Sequence, residues 1–244
     1  MPTAPKPSHD PKAKALAIHR RLCAEYGCPV AYFQDLDPLS ELVSSLLSHR
    51  TKNRDSKRAY DALTARYASW EEVRDAPLAE VEATIAGVTW PEQKAPRIQS
   101  ILKEIAVRRG SLDLGFLADM PVPEAREWLE SISGIGPKTS AAVLSFSVLR
   151  RPALPVDSHH HRVAQRTGLI PERMDVGPSH AALEALLPPE WDAQEVYDHH
   201  EVLMIHGQRV CTPRAPGCEH CVLLDLCPTG EVRMATRPAR GSAA

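Results

Sequence analysis

Residues 132–149 read ISGIGPKTSAAVLSFSVL, and the glycine-rich start of this stretch decides how the rest of the chain is interpreted. Gly134 and Gly136 favour a tight turn, because glycine adopts left-handed backbone freely and lets a ligand approach the chain closely. Pro137 suits the first position of a following helix, which would place Lys138 in its first turn. The stretch therefore predicts two helices joined by a short glycine turn.

Two interpretations of this turn stay open from its own residues. The N–H groups of Gly134, Ile135 and Gly136 would face outward at a helix N-terminus, where backbone donors and the helix dipole bind anions such as a DNA phosphate. The turn is also typical of a plain helical hairpin whose glycines serve close packing. Other features of the chain have to decide between them.

Helix signals extend outward from the hairpin in both directions. Pro11 and Pro38 each follow an aspartate, which is typical of an N-cap and a first helical position. Residues 39–47 carry leucine and valine at helical spacing. Further helices are predicted over 93–109, 124–132 and 137–149, and near 158–166, 178–187 and 193–206. No segment alternates with a period of two, so the predicted fold class is all-α.

Length and composition bound the class of protein. The chain has 244 residues, of which 43% are hydrophobic and 25% charged, which is typical of a globular protein and excludes a collagen or a coiled-coil rod. It contains no run of about 18 apolar residues and no apolar segment near its start, so neither a membrane span nor a secretory signal is expected. We expect a cytoplasmic protein whose cysteines are free or metal-bound rather than disulfide-paired.

Charge is nearly balanced over the whole chain. The formal net charge is −2, so a nucleic-acid partner would need a local basic face. Residues 50–58 form a basic stretch with five basic side chains, for which a phosphate contact is one interpretation: Arg50, Lys52, Arg54, Lys57 and Arg58. A solvated helix face is the other interpretation of this stretch.

The densest chemical signal lies near the C-terminal end. Four of the six cysteines lie close together there: Cys211, Cys218, Cys221 and Cys227. Thiols at this spacing in a cytoplasmic protein indicate a metal or cluster site, although spacing alone does not separate zinc from a [4Fe–4S] cluster. Cys23 and Cys28 lie far from the others and are interpreted as ordinary small residues.

Asp157 is the third signal, in the stretch Val156-Asp157-Ser158-His159. Aspartate is a favoured N-cap in any protein, so this position alone does not indicate chemistry. One predicted helix and a proline-containing loop separate Asp157 from Lys138. That layout could bring both residues to the opening of one binding site.

The hairpin, the lysine, the aspartate and the four cysteines occur in one order, and in this order the chain resembles the endonuclease III family of helix-hairpin-helix DNA glycosylases. The resemblance extends from about Leu39 to Cys227 and includes the cysteine spacing of that family's iron–sulfur loop. It implies a two-domain fold. A six-helix barrel with the helix-hairpin-helix motif would span 39–150, an iron–sulfur cluster domain would combine 1–38 with 151–228, and 229–244 would be a disordered tail.

The resemblance also implies a function, that of a base-excision-repair DNA glycosylase with AP lyase activity on oxidised pyrimidines. Lys138 would attack the sugar and form a Schiff base that permits β-elimination, while Asp157 would stabilise positive charge on the sugar. The four cysteines would hold a [4Fe–4S] cluster with a structural role. The partner would be double-stranded DNA with a damaged base or an abasic site, bound by a monomer across the cleft between the two domains, with the damaged nucleotide flipped out.

DNA contacts are implied for eight residues: Arg50, Lys52, Trp90, Gly134, Ile135, Gly136, His159 and Arg214. Arg50 stands where the family usually has a glutamine that fills the hole left by the flipped base. Trp90 lies in a loop longer than usual, and either stacks on a base or fills the barrel core. Arg214 is the single basic residue between the first two cysteines, where the family often has several. These departures indicate a diverged member.

Other functions stay open at this point. An adenine glycosylase of the MutY kind resembles the same pattern without the lysine, so Lys138 argues against it. A damage-binding module with weak or no catalysis, or a glycosylase with altered lesion specificity, would fit the unusual residues Arg50 and Trp90. A zinc-stabilised structural domain would fit the cysteine spacing alone.

Overall fold

The structure is a computed structural model that describes residues 10–236. Within those residues it contains helices and short 3₁₀ turns and no strand, which confirms the all-α prediction. The helices are α1 Pro11–Tyr26, α2 Pro38–Ser48, α3 Asn53–Arg66, α4 Trp70–Asp75, α5 Leu78–Thr84, α6 Pro91–Arg109, α7 Val122–Glu130, α8 Pro137–Phe146, α9 Ser158–Thr167, α10 Val176–Glu184, α11 Ala193–Arg209 and α12 Pro228–Ala235.

Local signals set the starts of the first two helices. Asp10 Oδ1 accepts a hydrogen bond from the Lys12 N–H (3.0 Å), and Asp37 Oδ1 accepts from two amides at the start of α2. Each aspartate is followed by a proline at the first helical position, where the missing N–H costs nothing. The predicted Asp-Pro starts are confirmed.

Residues Tyr32–Pro155 form one compact unit, which contains α2 to α8, and the predicted barrel range 39–150 lies inside it. Its core is made of aliphatic side chains from every helix, including the fully buried Leu42, Leu47, Ile98 and Leu144. Helix α2 packs against α8, the helix that carries Lys138 in its first turn.

The described residues up to Ala31 and from Val156 onward form the other compact unit. Here α11 packs against α9 and α1, and α12 packs against α9. A close approach between α11 and α9 depends on Gly207, because a Cβ there would lie 2.8 Å from the His159 Cβ. The contact fixes the start of α9, where Asp157 is the N-cap.

Several expectations are corrected by the structure. Residues 228–235 form α12, so the tail predicted as disordered from 229 begins with a helix, and 237–244 lie outside the described residues. Helix α6 begins at Pro91 rather than at 93, and the short α5 was not predicted. Cys23 and Cys28 are joined by a disulfide, contrary to the expectation that they are ordinary unpaired residues. In the described part of the chain no helix is long and apolar enough to span a membrane.

Candidate functional site

The turn between α7 and α8 depends on one glycine. Gly134 has φ +98°, and a Cβ on it would meet the Arg97 side chain at 3.2 Å. Any residue other than glycine is therefore disfavoured at position 134 for two reasons. A positive φ strains its backbone, and α6 leaves little room for its side chain. Gly136 is extended and precedes Pro137, whose fixed φ starts α8. Close packing thus accounts for Gly134.

The same turn presents backbone donors at the start of α8. Ile135 is only 5% exposed, and its N–H donates to the Ile132 carbonyl (3.1 Å). Ile135 therefore anchors the turn, and the DNA contact that the resemblance implies for it stays a prediction. Gly134 is exposed and Gly136 is partly exposed. Their backbone N–H groups are therefore candidates for binding an anion at the N-terminus of α8.

Lys138 is half-buried in the first turn of α8. Glu41 on α2, which sequence reasoning missed, lies within electrostatic range of it. Glu41 is 2% exposed and accepts hydrogen bonds from Gln34 Nε2 (2.6 Å) and Ser45 Oγ (2.9 Å). Burial raises the pKa of Glu41 to about 7, although the two hydrogen bonds and the charge of Lys138 oppose the rise. Its sequence signal was an acidic residue inside the apolar stripe 39–47.

Asp157 is the N-cap of α9, and Lys138 and Asp157 belong to different compact units. Asp157 Oδ1 accepts hydrogen bonds from the N–H groups of His159 (2.9 Å) and His160 (2.7 Å). Burial opposes ionisation of Asp157, but the positive field of His200 and the His160 hydrogen bond outweigh it and lower its pKa. Asp157 is therefore a carboxylate at neutral pH.

Arg50 and Trp90 lie in two loops of the same unit, and both have left-handed backbone, with φ +51° and +58°. Such backbone is uncommon in residues with a side chain and clusters at functional sites. The Arg50 guanidinium carbon lies 5.7 Å from the centroid of the Trp90 ring, within cation–π range. Trp90 is 40% exposed, so the alternative in which it fills the core is wrong.

In the rest of the basic stretch, some side chains are exposed to a possible DNA ligand and others are paired within the protein. Lys52 is exposed and precedes α3 without making a side-chain cap. Lys57 forms an ion pair with Asp61 (2.7 Å), as a solvated helix face would. The stretch therefore combines an exposed Arg50 and Lys52 with a paired lysine.

His159 and Arg214 belong to the unit that contains the cysteines. His159 is half-buried, with its Nδ1 3.2 Å from Arg162 Nη2, and Arg162 Nε donates to the Cys211 carbonyl (2.9 Å). Arg214 is exposed on the loop between Cys211 and Cys218. Hydrogen bonds thus connect the first turn of α9 to the start of the cysteine loop, defined as residues 211–227.

All four cysteines of the cysteine loop are free and line one cavity. N–H groups donate to three of the sulfurs: Arg166 Nη1 to Cys211 Sγ (3.3 Å), Leu223 N to Cys221 Sγ (3.4 Å) and Gly230 N to Cys227 Sγ (3.3 Å). Burial raises the pKa of Cys221 to about 11, and the neighbouring thiols add to the rise. A bound cationic centre would remove this penalty by binding the thiolates.

A family model matches most of the unit that contains the hairpin and continues beyond it. The model is that of the HhH-GPD superfamily base excision DNA repair proteins, and it covers residues 43–189. The chain is 30% identical over 210 residues to endonuclease III of Thermotoga maritima, covering 83% of this chain and 91% of that protein. It is also 32% identical over 174 residues to a candidate DNA glycosylase of Arabidopsis thaliana, covering 71% of this chain but only 57% of that relative's length.

The fold is similar to that of a solved endonuclease III. A non-covalent complex of endonuclease III with DNA superposes with a TM-score of 0.77 at 23% sequence identity. The match covers 92% of this chain and 98% of the other. The chain therefore shares the endonuclease III fold.

Proposed function

Because the chain belongs to the HhH-GPD superfamily of base excision DNA repair proteins, we propose that it is a bifunctional DNA glycosylase and AP lyase that removes oxidised pyrimidines from duplex DNA. Lys138 carries this proposal. It lies in the first turn of α8, directly after a glycine turn at which backbone amides can bind phosphate. An amine at this place provides the nucleophile that covalent chemistry on a sugar requires.

Lys138 would act through its neutral amine, because an ammonium group has no lone pair to donate. Lys138 Nζ attacks C1′ of the flipped nucleoside, and the bond from C1′ to the base breaks as the base leaves with a proton. The sugar ring then opens, O4′ takes a proton, and a Schiff base joins Nζ to C1′. Loss of a proton from C2′ expels the 3′ phosphate, and water releases the amine.

Asp157 would supply the negative charge for this reaction. It is ionised at neutral pH, since its pKa lies below the usual value. A carboxylate stabilises the positive charge that the sugar acquires as the base leaves, as in glycosidases. Its two hydrogen bonds from the start of α9 hold the group in one orientation.

We further propose that Cys211, Cys218, Cys221 and Cys227 hold a [4Fe–4S] cluster. The residues fit: all four cysteines are free and line one cavity. Three of the four sulfurs receive N–H donors of the kind that surround cluster sulfurs. When bound, the cluster would cross-link the cysteine loop through these four residues and supply the positive charge that stabilises their thiolates.

A damage-binding module with weak catalysis is the second candidate. Arg50 favours it, because a guanidinium stacks and binds phosphate well but does not reproduce the paired donor and acceptor of a glutamine amide. The single Arg214 in the cysteine loop favours it too. Either candidate makes duplex DNA with a damaged base or an abasic site the expected partner.

Borohydride trapping on an abasic-site duplex tests the proposal. We expect a covalent adduct with the wild-type protein and none with Lys138→Gln, because a glutamine amide does not form a Schiff base. Asp157→Asn keeps an N-cap side chain but loses the charge, so turnover should fall by about 10²-fold or more while folding is retained. Lys103→Met, an exposed lysine on α6, is the matched control.

Three outcomes contradict the proposal in different ways. An adduct that persists in Lys138→Gln would show that Lys138 is not the nucleophile. Tight binding without turnover across a panel of oxidised pyrimidines selects the damage-binding module. Turnover confined to adenine lesions would show that adenine lesions, and not oxidised pyrimidines, are the substrates.

A further inference from the structure

Lys94 is a buried lysine that connects distant parts of the chain. It lies in the first turn of α6 and is only 5% exposed. Its Nζ donates three hydrogen bonds: to the Leu47 carbonyl (2.6 Å), the His49 carbonyl (2.8 Å) and Thr51 Oγ1 (2.8 Å). All three ammonium protons are used, and lysines this buried are rare. The acceptors lie at the end of α2 and in the loop that follows it, which contains Arg50.

The backbone of Lys94 reaches the second loop. Its N–H donates to the carbonyl of Trp90 (3.1 Å), the residue that precedes α6. One residue therefore holds the Arg50 loop with its side chain and the Trp90 loop with its main chain. Burial and the charge of nearby Arg97 lower the pKa of Lys94 to about 8, so the group is held in place at an electrostatic cost.

Two threonines bind the loops directly to each other. The N–H of Thr89 donates to Thr51 Oγ1 (3.1 Å), and Thr89 Oγ1 donates to the Arg50 carbonyl (3.0 Å). The Thr51 hydroxyl thus accepts from both Thr89 and Lys94. The two loops form one hydrogen-bonded unit with Lys94 beneath it.

This network explains how two residues keep left-handed backbone. Arg50 and Trp90 have φ of +51° and +58°, and such strain persists only where surrounding contacts over-determine the conformation. The result is a guanidinium beside a partly exposed indole ring. A planar cation and an aromatic face are the groups on which nucleic-acid bases stack.

Four cations lie within electrostatic range of His49, which lies in the Arg50 loop. The pKa of His49 is lowered by burial and then by four cations in order of strength: Lys94, Arg50, Lys138 and Arg97. A phosphate backbone is attracted to such a field, whereas a protein-core role would not require it. The charges and the stacking groups therefore indicate the same ligand.

We propose that Lys94 is a positioning residue for DNA recognition, which holds Arg50 and Trp90 side by side as a preformed surface that stacks on a base of a distorted duplex. The inference rests on the proposed function for its ligand. Because the cost of ordering the loops is met during folding, less of the stacking free energy is lost on binding. Removing the lysine side chain should loosen the Arg50 loop directly, and the Trp90 loop through the threonine hydrogen bonds that join the two loops.

Binding of a duplex that contains a tetrahydrofuran abasic-site analogue tests this inference, with the same damaged strand alone as the comparison. Lys94→Met keeps an unbranched side chain that is one atom shorter, and it removes the three N–H donors. We expect it to weaken duplex binding about tenfold and single-strand binding less than about twofold, because a flexible single strand can move its bases to stack on displaced side chains, whereas a duplex holds its bases in place. The exposed Lys103→Met is the control on the same helix.

A second variant separates positioning from folding. Trp90→Ala should weaken duplex binding as Lys94→Met does, and the double variant should be no weaker than Trp90→Ala alone, because both act through one surface. Acrylamide quenching of Trp90, isolated by difference from Trp90→Phe, should increase in Lys94→Met without DNA. If Lys94→Met does not fold, Thr51→Val removes one acceptor of the network and is measured in the same way.

The outcomes distinguish this inference from the proposed function. Equal losses on the duplex and the single strand, additive effects of the two variants, or unchanged Trp90 quenching would each overturn the positioning role. A wild-type protein that binds the analogue but gives no borohydride adduct overturns the lyase and leaves the positioning role supported by binding and quenching. An adduct together with unimpaired duplex binding by Lys94→Met overturns only the inference.

Discussion

The glycine hairpin, residues 132–138, and the cysteine loop, residues 211–227, are organised by different means. The hairpin is determined by its own backbone, with Gly134 at φ +98° and Pro137 starting α8. The cysteine loop has only two 3₁₀ turns, and its free thiols line a cavity in which burial raises the pKa of Cys221. The backbone of the hairpin is thus determined by its own residues, whereas we propose that the cysteine loop depends on a bound group.

The comparison extends to the Arg50 and Trp90 loops. Like the hairpin they contain left-handed residues, but here the residues are not glycines, and hydrogen bonds from Lys94 and two threonines hold them. Protein contacts thus perform in these loops the role that we propose for a cluster in the cysteine loop.

The largest effect is expected in the cysteine loop. Cys221→Ser should abolish iron binding and lower the local stability of 211–235 by about 4 kcal/mol or more, since loss of a structural metal is among the most destabilising changes. Hydrogen exchange should show lost protection there and unchanged protection at 132–138. Cys23→Ser, which removes a cysteine outside the loop, should retain the iron. Equal protection of both regions in Cys221→Ser would contradict the comparison.

An intermediate effect is expected in the hairpin. Gly134→Ala should lower the free energy of unfolding by about 2–4 kcal/mol, because the new side chain meets both a positive φ and the Arg97 side chain. Gly136→Ala should cost less than about 1 kcal/mol, since its backbone is extended and a Cβ there would have no atom within 4 Å. Denaturant unfolding measures both. Equal losses would show that the backbone of Gly134 does not determine the turn.

The smallest effect concerns the pH dependence of the unit that contains Lys138. The folded state raises the pKa of Glu41 from 4.5 to about 7, so its contribution to stability is full below about pH 4.5 and is lost as pH rises through about 7. The glutamine in Glu41→Gln cannot ionise, so this variant should not lose the corresponding part of its unfolding free energy as the pH rises over that range. Relative to the wild type, the unfolding free energy of the variant should therefore rise by up to about 3 kcal/mol between pH 4.5 and a pH above 7.

Denaturant unfolding between pH 4 and pH 8 measures this difference. The exposed Glu127→Gln on α7 is the control, and its stability should follow that of the wild type at every pH. A constant difference between Glu41→Gln and the wild type across the range would show that the buried carboxyl does not titrate there.

Much of the candidate site could be predicted because its signals are local. Lys138 follows a glycine turn within one short stretch, and the spacing of the four cysteines is itself a pattern. Trp90 shows where local reasoning stops: an indole near apolar residues fits a core or a surface equally well, and only the folded chain shows that this one is 40% exposed. The disulfide between Cys23 and Cys28 was missed because the expected compartment argued against pairing.

The sequence by itself determined the all-α class, the helix starts at Asp-Pro pairs, the hairpin and the cysteine spacing. These depend on backbone preferences and on neighbours a few residues apart, which are written in the chain order. Only the tertiary structure decided the roles of Lys94 and Glu41, whose charged side chains are buried among partners from other segments. Burial and the pKa shifts it causes arise when distant segments pack together, and residue type alone does not specify them.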